Sequence, residues 1–569
     1  MLKNNIVVNF ADYYFCLFHI IAYFYALTWS MKKKFRLDKN VLLFTAFYLF
    51  PFFVLAILGI FLISELKVYL KEVVQFGFFT AILFSISQLI NHKKVKSVFY
   101  RFSMVLLSVL VFIKLAFYYN FNAQLSASAF YLLFETNGKE TSEFLDFYIN
   151  AQLIILLLVL SFMAILFVIK TKINFLYSFS VGKKTGFLIF ATFLSSLIFW
   201  KLSDENILLK TVSSYNEYKA FKKIFEDDLA KEKSDFITNA SAKNSNQTYV
   251  VIIGESTSKT HMHIYGYGRK TTPNLDKIKD SLLVFTNVIT PHTHTITALN
   301  KILTLKSLAN PDKKDNASLV QLANNAGFYT FWISNQRPVG MYESIPSLIG
   351  KAANETIFTN TKDYGNIVHD SRIFPKLEKA LNDSHKKKII FIHLMGTHSG
   401  YKNRYPKEFN VFTDSKNIKT VNNSSLAINR INQYDNANLY NDYIVSEIIK
   451  RVKNKNTNSY VLYFSDHGDE VYDTLDFCGH NEWRGTKSMH EVPFILWLSK
   501  KYKLENTNTK GWKNYTNRSY LLDDFIHSFA ELSSIKFSEL DTVKSIFNTN
   551  FKPKKRILAN GRNYDEKKK

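Results

Sequence analysis

Cysteine is nearly absent from this 569-residue chain, which contains only Cys16 and Cys478. Cys16 lies in an apolar segment and Cys478 in the polar half of the chain, so we expect no disulfide between them. The first 30 residues also lack a small-residue cleavage site after a short apolar core. We therefore predict that this segment is retained rather than removed as a signal peptide.

Acidic residues are scarce relative to basic ones, since 47 Asp and Glu stand against 72 Lys and Arg, giving a formal net charge of +25. Such a chain is suited to nucleic acids, anionic membranes or anionic substrates. The sequence contains no recognisable nucleic-acid-binding module, and much of the positive charge flanks apolar segments. The composition therefore favours a membrane over nucleic acid as the partner.

Long apolar runs fill the first 200 residues, and a helix of about 20 apolar residues can cross a bilayer. The pattern predicts an α-helical bundle with five clear spans, at residues 41–63, 73–90, 98–121, 151–169 and 186–200. A sixth candidate segment, residues 6–29, is interrupted by Asp12 and His19 and either crosses the membrane or lies at its interface.

The charges of the loops predict the orientation of this bundle. Three lysine-rich loops should lie in the cytoplasm, because basic loops stay on that side. The acidic loop 122–150 and everything after Trp200 then lie on the other side. We predict four parts: an N-terminal hydrophobic segment with a basic loop (1–37), the bundle (38–200), bridging helices or a linker (201–245) and an exported domain (246–569).

The exported half alternates short apolar runs with helical stretches. Near-continuous apolar runs separated by helices predict buried strands of a parallel sheet. Residues 318–326 and 436–452 have the spacing of covering helices. The fold class is α/β with a mostly parallel sheet, and its predicted strands are residues 249–253, 329–333, 389–394, 460–464 and 494–498.

Three of these runs end in side chains that can bind a metal. Open α/β sheets place their sites at the carboxyl ends of the strands, so we expect Glu255, His398, Asp466 and His467 around one crevice. Any one of these endings alone would be typical of a capped loop or a hydrogen-bonded polar residue. Together the carboxylates and imidazoles favour a site for Zn²⁺, with Mn²⁺ as the alternative.

A nucleophile is expected in the segment Thr-Pro-His-Thr-His-Thr-Ile-Thr at residues 290–297, between a strand-like run (283–288) and a helix-like run (298–305). A hydroxyl at a helix N-terminus is suited to attack on phosphorus, because free N–H groups stabilise anionic oxygens there. A bound divalent metal would lower its pKa. The spacing leaves Thr293, Thr295 and Thr297 open, and without the metal ligands a capping threonine would be the simpler interpretation.

Several longer motifs lie on this frame, and through them the chain resembles the phosphoethanolamine transferases of Gram-negative inner membranes, the family that modifies lipid A. The resemblance covers nearly the whole chain. Its motifs are Gly254-Glu255-Ser256, Tyr265-Gly266-Tyr267-Gly268-Arg269-Lys270-Thr271-Thr272-Pro273-Asn274, Gly396-Thr397-His398, Arg404-Tyr405-Pro406, Tyr434-Asp435-Asn436, Ser465-Asp466-His467-Gly468-Asp469-Glu470, Gly479-His480 and His490-Glu491-Val492-Pro493.

The resemblance implies an inner-membrane helical bundle followed by a periplasmic α/β domain of the alkaline phosphatase and sulfatase type. It also implies that Glu255, Asp466 and His467 hold a catalytic Zn²⁺, and that Thr295 is the nucleophile and fourth ligand. The implied reaction takes phosphoethanolamine from phosphatidylethanolamine and passes it, through a phosphoethanolamine–threonine intermediate, to an envelope acceptor. Lipid A or lipooligosaccharide is the first candidate acceptor, ahead of other envelope glycans or proteins.

By the same resemblance, His398 and His480 would bind the phosphoryl group, assist proton transfer or hold a second metal. The chain departs from the family in three places, one of which is the additional segment 6–29. It has Pro-His-Thr-His before Thr295, where lipid A-directed members often have Cys-Gly-Thr-Ser, and it lacks the several cysteines of many members. The acceptor is therefore the least constrained part of the prediction.

Three other functions would use the same fold. A sulfatase needs a Cys or Ser in a Cys-x-Pro-x-Arg-like setting, and the sequence contains none. A glycerophosphotransferase similar to lipoteichoic acid synthases would share the anchor and the ligands but would use phosphatidylglycerol as donor. A non-catalytic membrane binding protein on the same fold would differ in its metal content.

Overall fold

A computed structural model describes residues 39–62, 66–121, 148–170, 181–224, 228–243, 246–311, 316–336, 345–360 and 367–566, together with residues 125, 130, 141, 142, 144, 145 and 313. The predicted segment 6–29 and Cys16 lie outside this part of the chain. The described residues form two compact units. The membrane unit holds those of 39–131 and 148–216, and the α/β unit holds those of 132–147 and 217–566.

Apolar packing between long helices forms the core of the membrane unit. Four helical stretches are long and apolar enough to cross a membrane, namely Leu43–Leu62, Leu66–Leu89, Lys93–Phe121 and Ala151–Lys170. At the fifth predicted span the helix carries lysines near both ends, which reduces its apolar content, and its crossing stays a prediction. The helices of this unit are Lys39–Leu62, Leu66–Leu89, Lys93–Phe121, Ala151–Lys170, Val181–Lys201 and Ile207–Ile224.

A buried ion pair joins two helices of the membrane unit. Lys114 pairs with Glu72, and each side chain is only 4% exposed. The Lys114 ammonium also donates to the backbone carbonyl of Glu205 at 2.7 Å. Buried charges are costly unless they are paired, so this contact holds residue 205 against the two helices.

The α/β unit is built on a seven-stranded mixed sheet in the order β3-β11-β8-β2-β7-β5-β6. The five strands from β8 to β6 are mutually parallel. The strands are β1 (Ser241–Ala242), β2 (Gln247–Gly254), β3 (Leu282–Val284), β4 (Val288–Ile289), β5 (Tyr329–Ser334), β6 (Glu355–Phe358), β7 (Lys387–His393), β8 (Asn458–Ser465), β9 (Glu470–Val471), β10 (Cys478–Gly479), β11 (Phe494–Leu498), β12 (Tyr520–Leu521) and β13 (Ile535–Lys536).

The direction of β11 corrects the prediction of a parallel strand at 494–498. This strand is antiparallel to both of its neighbours, β8 and β3. A parallel neighbour needs a crossover connection back to the other end of the sheet. The only helix between β8 and β11 is the four-residue Lys487–His490, so the chain does not cross over and β11 returns in the opposite direction.

Helices pack on this sheet through their apolar faces. The longest, Ser425–Asn454, begins at Ser424, whose side chain accepts from the backbone N–H of Ala427, and it shares one apolar core with the sheet. The predicted helices at 436–452 and 318–326 are confirmed, with different ends. The helices are Pro273–Lys277, Thr295–Ile302, Leu319–Asn325, Ile345–Lys351, Phe374–Asn382, Ser425–Asn454, Lys487–His490, Lys500–Glu505 and Phe525–Leu532.

One helix begins earlier than predicted. The helix-like run at 298–305 is part of a helix that spans Thr295–Ile302, after an extended N-cap residue, His294. Periodicity placed the start too late because the first turn contains two threonines, which are poor helix formers. The consequence is that Thr295 lies in the first turn, where backbone N–H groups are free.

Candidate metal centre and active site

The carboxyl ends of three adjacent parallel strands meet at the candidate site. Gly254 of β2 lies opposite Ser465 of β8, and Ile253 lies opposite His393 of β7. The residues that follow these strand ends are therefore brought to one edge. Glu255, Asp466 and His467 are at most 1% exposed there.

The structure brings the Thr295 hydroxyl into this group. Thr295 Oγ1 lies 3.2 Å from each carboxylate oxygen of Glu255 and 3.3 Å from His467 Nε2. His467 Nε2 is also 3.4 Å from Glu255 Oε1 and 3.5 Å from Asp466 Oδ2. Candidate ligand atoms of Glu255, Asp466 and His467 all lie within 4.8 Å of one another, which is the spacing of a single metal centre.

The other two candidate threonines do not join this group. Thr297 Oγ1 donates to the backbone carbonyl of His294 at 3.1 Å, within its own helix turn. Thr293 is fully buried, and its hydroxyl has no hydrogen-bond partner among the described residues. Geometry therefore separates Thr295 from its neighbours, which spacing in the sequence could not do.

The donor set fits a divalent metal ion. Asp466 Oδ2 is buried and has no hydrogen-bond partner in the described part of the chain, and such an oxygen is costly unless something binds it. Burial and the neighbouring Glu255 carboxylate raise the pKa of Asp466 well above its usual range. Burial lowers the pKa of His467, but Asp466 and Glu255 outweigh it and raise that pKa to about 10. A bound cation would balance these two carboxylates.

Three further contacts hold the Glu255 carboxylate and its backbone in place. Ser256, which has a left-handed backbone at φ 55°, donates from its hydroxyl to Glu255 Oε1 at 2.9 Å. Gln336 Nε2 donates to Glu255 Oε2 at 3.2 Å. The backbone N–H of Thr397 donates to the Glu255 carbonyl at 2.9 Å. The carboxylate is thus oriented before any ligand arrives.

Gly396 allows the loop after β7 to approach Glu255 closely. Its φ is +51°, and a Cβ there would lie 2.8 Å from both the backbone N and the backbone O of Glu255. Glycine is needed at such a position because every other residue would add that Cβ. Two residues further on, His398 has its Nδ1 3.3 Å from Ser399 Oγ. Burial raises the pKa of Glu255, but the hydrogen bond and charge of His467 outweigh it, and that pKa lies well below its usual range.

His480 lies against the metal group from a second loop. Its ring centroid is 4.3 Å from that of His467, and its Nδ1 donates to Asp469 Oδ1 at 2.8 Å. Asp469 also accepts from the Tyr401 hydroxyl at 2.7 Å. His467, Asp469 and His480 form a second group of closely spaced candidate ligand atoms. The structure therefore places His480 beside the metal group, where it could bind the phosphoryl group, transfer a proton or hold a second metal.

The loop before Thr295 is held by Glu482. Glu482 Oε2 accepts from the backbone N–H of Thr293 at 3.1 Å and lies 3.2 Å from His292 Nδ1. Burial alone would raise the pKa of Glu482, but the hydrogen bond and charge of His292 outweigh it and lower that pKa to about 2. Glu482 is therefore a carboxylate at neutral pH.

Sequence reasoning missed three of these contributors. Gln336 follows β5, so the strand-end rule that gave Glu255 and His398 would also have indicated Gln336. Asp469 lies four residues after the last residue of β8, Ser465, whereas Glu482 follows no strand of the main sheet. Their places depend on the irregular connection from β8 to β11, for which periodicity gives no signal.

Comparison with known proteins agrees with this geometry. The sulfatase family profile matches residues 247–535. The chain is 30% identical over 474 residues to phosphoethanolamine transferase EptC of Escherichia coli (strain K12), covering 78% of this chain and 82% of that protein. The sheet and its site thus define a sulfatase-type α/β domain.

Solved structures extend the likeness. The C-terminal periplasmic domain of the Escherichia coli EptC protein, crystallised in complex with Zn, is 34% identical and superposes with a TM-score of 0.55, covering 58% of this chain and 94% of that domain. The integral membrane protein lipooligosaccharide phosphoethanolamine transferase A from Neisseria meningitidis is 18% identical with a TM-score of 0.59, covering 85% of this chain and 98% of that one. The chain belongs to the phosphoethanolamine transferase family of the sulfatase superfamily.

Proposed function

We propose that this protein transfers phosphoethanolamine from phosphatidylethanolamine to an acceptor of the cell envelope, by way of a phosphoethanolamine ester on Thr295. The observation that carries the proposal is the Thr295 hydroxyl, which lies 3.2 Å from the Glu255 carboxylate and 3.3 Å from His467. It lies in the first turn of a helix, where free N–H groups favour anionic oxygens. The activity named for its relative EptC supports the same reaction.

The metal proposed for the site is Zn²⁺, held by Glu255, Asp466 and His467 with Thr295 as the fourth ligand. Two carboxylates and an imidazole suit zinc, with Mn²⁺ as the alternative. The related periplasmic domain was crystallised with Zn, which supports this choice. When bound, the metal would lower the pKa of the Thr295 hydroxyl and offset negative charge on the phosphoryl oxygens.

The side chains divide the reaction into two displacements. In the first, Thr295 Oγ loses its proton to solvent and forms a bond to phosphorus, and the bond from phosphorus to the diacylglycerol oxygen breaks. His398 or His480 supplies the proton that the leaving oxygen needs. In the second, an acceptor hydroxyl or phosphate attacks the same phosphorus, and its proton returns to one of these imidazoles. The bond from Thr295 Oγ to phosphorus breaks, and the released hydroxyl regains its proton from solvent.

The membrane unit suits a donor that stays in a bilayer. We propose that the protein lies in the inner membrane, with residues 38–200 as its helical bundle, 201–245 as the connection and 246–569 in the periplasm. Basic residues of this connection, which we expect on the exported side, could dock an anionic acceptor. Lipid A or lipooligosaccharide is the acceptor to test first, because the motifs resemble those of enzymes that modify it.

The test is mass spectrometry of the full-length protein, purified in detergent and incubated with phosphatidylethanolamine, with and without a chelator. We expect a mass gain of one phosphoethanolamine on the peptide that contains Thr295. The gain should disappear in Thr295→Ala and after chelation. Thr297→Ala is the matched control, because it removes a hydroxyl from the same helix turn that donates to the His294 carbonyl, and it should keep the gain.

The two lipid donors separate the competing activities. A mass gain from phosphatidylglycerol but not from phosphatidylethanolamine would replace the proposal with glycerophosphotransfer. If a folded, zinc-loaded protein gains mass from neither lipid, the mechanism through Thr295 is refuted.

A further inference from the structure

Glu482 has one carboxylate oxygen that the fold leaves unused. Its Oε2 is occupied by the backbone N–H of Thr293 and by His292. Its Oε1 is buried and receives no hydrogen bond from the described residues. A buried carboxylate oxygen without a donor is costly, so this oxygen marks a place where something else can bind.

A second polar atom without a hydrogen-bond partner lies on the loop that contains Thr293. His294 is 7% exposed, and its Nδ1 is also buried without a partner among the residues described. The His294 ring lies 4.9 Å from that of His480, which in turn lies 4.3 Å from that of His467. His294 thus lies next to the metal group, and its neighbour Thr293 contacts Glu482 directly.

The chemistry of these two atoms restricts the ligand. An anion would be repelled by the Glu482 carboxylate. A metal is disfavoured, because neither of the closely spaced ligand groups in the described chain contains Glu482 or His294. A primary ammonium fits, since it carries one positive charge and three N–H donors, and carboxylates form strong charge-assisted bonds with it.

We propose that Glu482, together with His294, binds the ammonium end of phosphoethanolamine while its phosphoryl group reacts at Thr295. This rests on the proposed function, in which the transferred group ends in a primary ammonium two carbons away from the phosphate ester. Thr295 is two residues beyond Thr293, whose backbone Glu482 contacts at 3.1 Å. Glu482 would make the site prefer a headgroup with an ammonium over one without it.

The test compares two small phosphates that differ at one end. O-phosphoethanolamine carries an ammonium where propyl phosphate carries a methyl group. Isothermal titration of the zinc-loaded, full-length protein should show that the wild type binds O-phosphoethanolamine roughly 10- to 100-fold more tightly, the range for one hydrogen bond to a charged group. Glu482→Gln keeps the shape of the side chain but removes its charge, and should bring the ratio close to 1.

Asp476→Asn is the matched control, because it removes one carboxylate charge from an exposed position of the same connection, where Asp476 accepts from Asn422. We expect it to retain the preference for O-phosphoethanolamine. Equal affinities in the wild type, an unchanged ratio in Glu482→Gln, or a loss of zinc from that variant would each overturn the assignment. Selective binding without any Thr295 adduct would refute the proposed transfer alone, whereas an adduct without selective binding would refute this subsite alone.

Discussion

Replacing Gly396 with alanine should displace the Glu255 backbone and so weaken the metal centre. The new Cβ would lie 2.8 Å from the backbone N and O of Glu255, whereas ordinary contacts begin at 3.4 Å, so the two segments must separate by about 0.6 Å. The left-handed φ costs about 1–2 kcal/mol in addition, and overpacking typically costs about 1–3 kcal/mol. A shift of about 1 Å at a reacting group can lower a rate about 100-fold, so we expect a loss of roughly 10- to 100-fold.

Gly266 provides the matched control for this substitution. Its φ is +100°, but a Cβ there would meet nothing within 4 Å. Gly266→Ala therefore carries the backbone strain without the contact to Glu255. Both variants should lose thermal stability. Only Gly396→Ala should also bind less zinc and form the Thr295 adduct at a lower initial rate.

Zinc content by elemental analysis and the rate of adduct formation by mass spectrometry measure the two effects separately from stability. If Gly396→Ala keeps both zinc and rate, the close approach does not position Glu255. The same conclusion follows if Gly266→Ala loses as much of each, because strain alone would then explain the damage.

Two further perturbations test buried charges. Lys114→Met leaves the Glu72 carboxylate buried without its partner and should lower the free energy of unfolding by about 3–5 kcal/mol, measured by thermal or denaturant unfolding in detergent. The double variant with Glu72→Met should recover most of this loss. An equal loss in the single and double variants would contradict the pairing. Burial lowers the pKa of His261, but Asp473 and Asp435 outweigh it and raise that pKa from 6.5 to about 10, so the stability from its protonation is complete below pH 6.5 and is lost as the pH rises to about 10. The stability difference between wild type and His261→Gln should therefore shrink over that pH window, and a difference independent of pH would show that His261 is not held as a cation.

The metal group could be predicted because it depends on sheet topology, which the sequence encodes strongly. The apolar runs of β2, β7 and β8 are buried and parallel, and residues that can bind a metal follow β2 and β8 directly. Parallel strands align their carboxyl ends, so the strand positions alone predict that Glu255 and His467 lie close together.

The remaining features depend on contacts between residues distant in the sequence. Spacing could not choose Thr295 over its two neighbours, because the choice depends on where a helix begins relative to β2 and β8. The predicted direction of β11 was wrong, because an apolar run has the same composition in either direction. Glu482 could not be recognised either, because its partners are 189 and 190 residues away along the chain.

Because β11 returns without a crossover, the strand pairing that stabilises the sheet involves different residues from the connection that contributes to the site. The connection between β8 and β11 stays on the side of the sheet where Asp466 and His467 lie, and it carries His480 and Glu482. Changes in its length or sequence can therefore alter what the site accepts while the ladder between β8 and β11 remains intact. This stretch is where relatives with the same sheet could diverge in substrate, and it is the natural segment to exchange between them when a new acceptor or headgroup is sought.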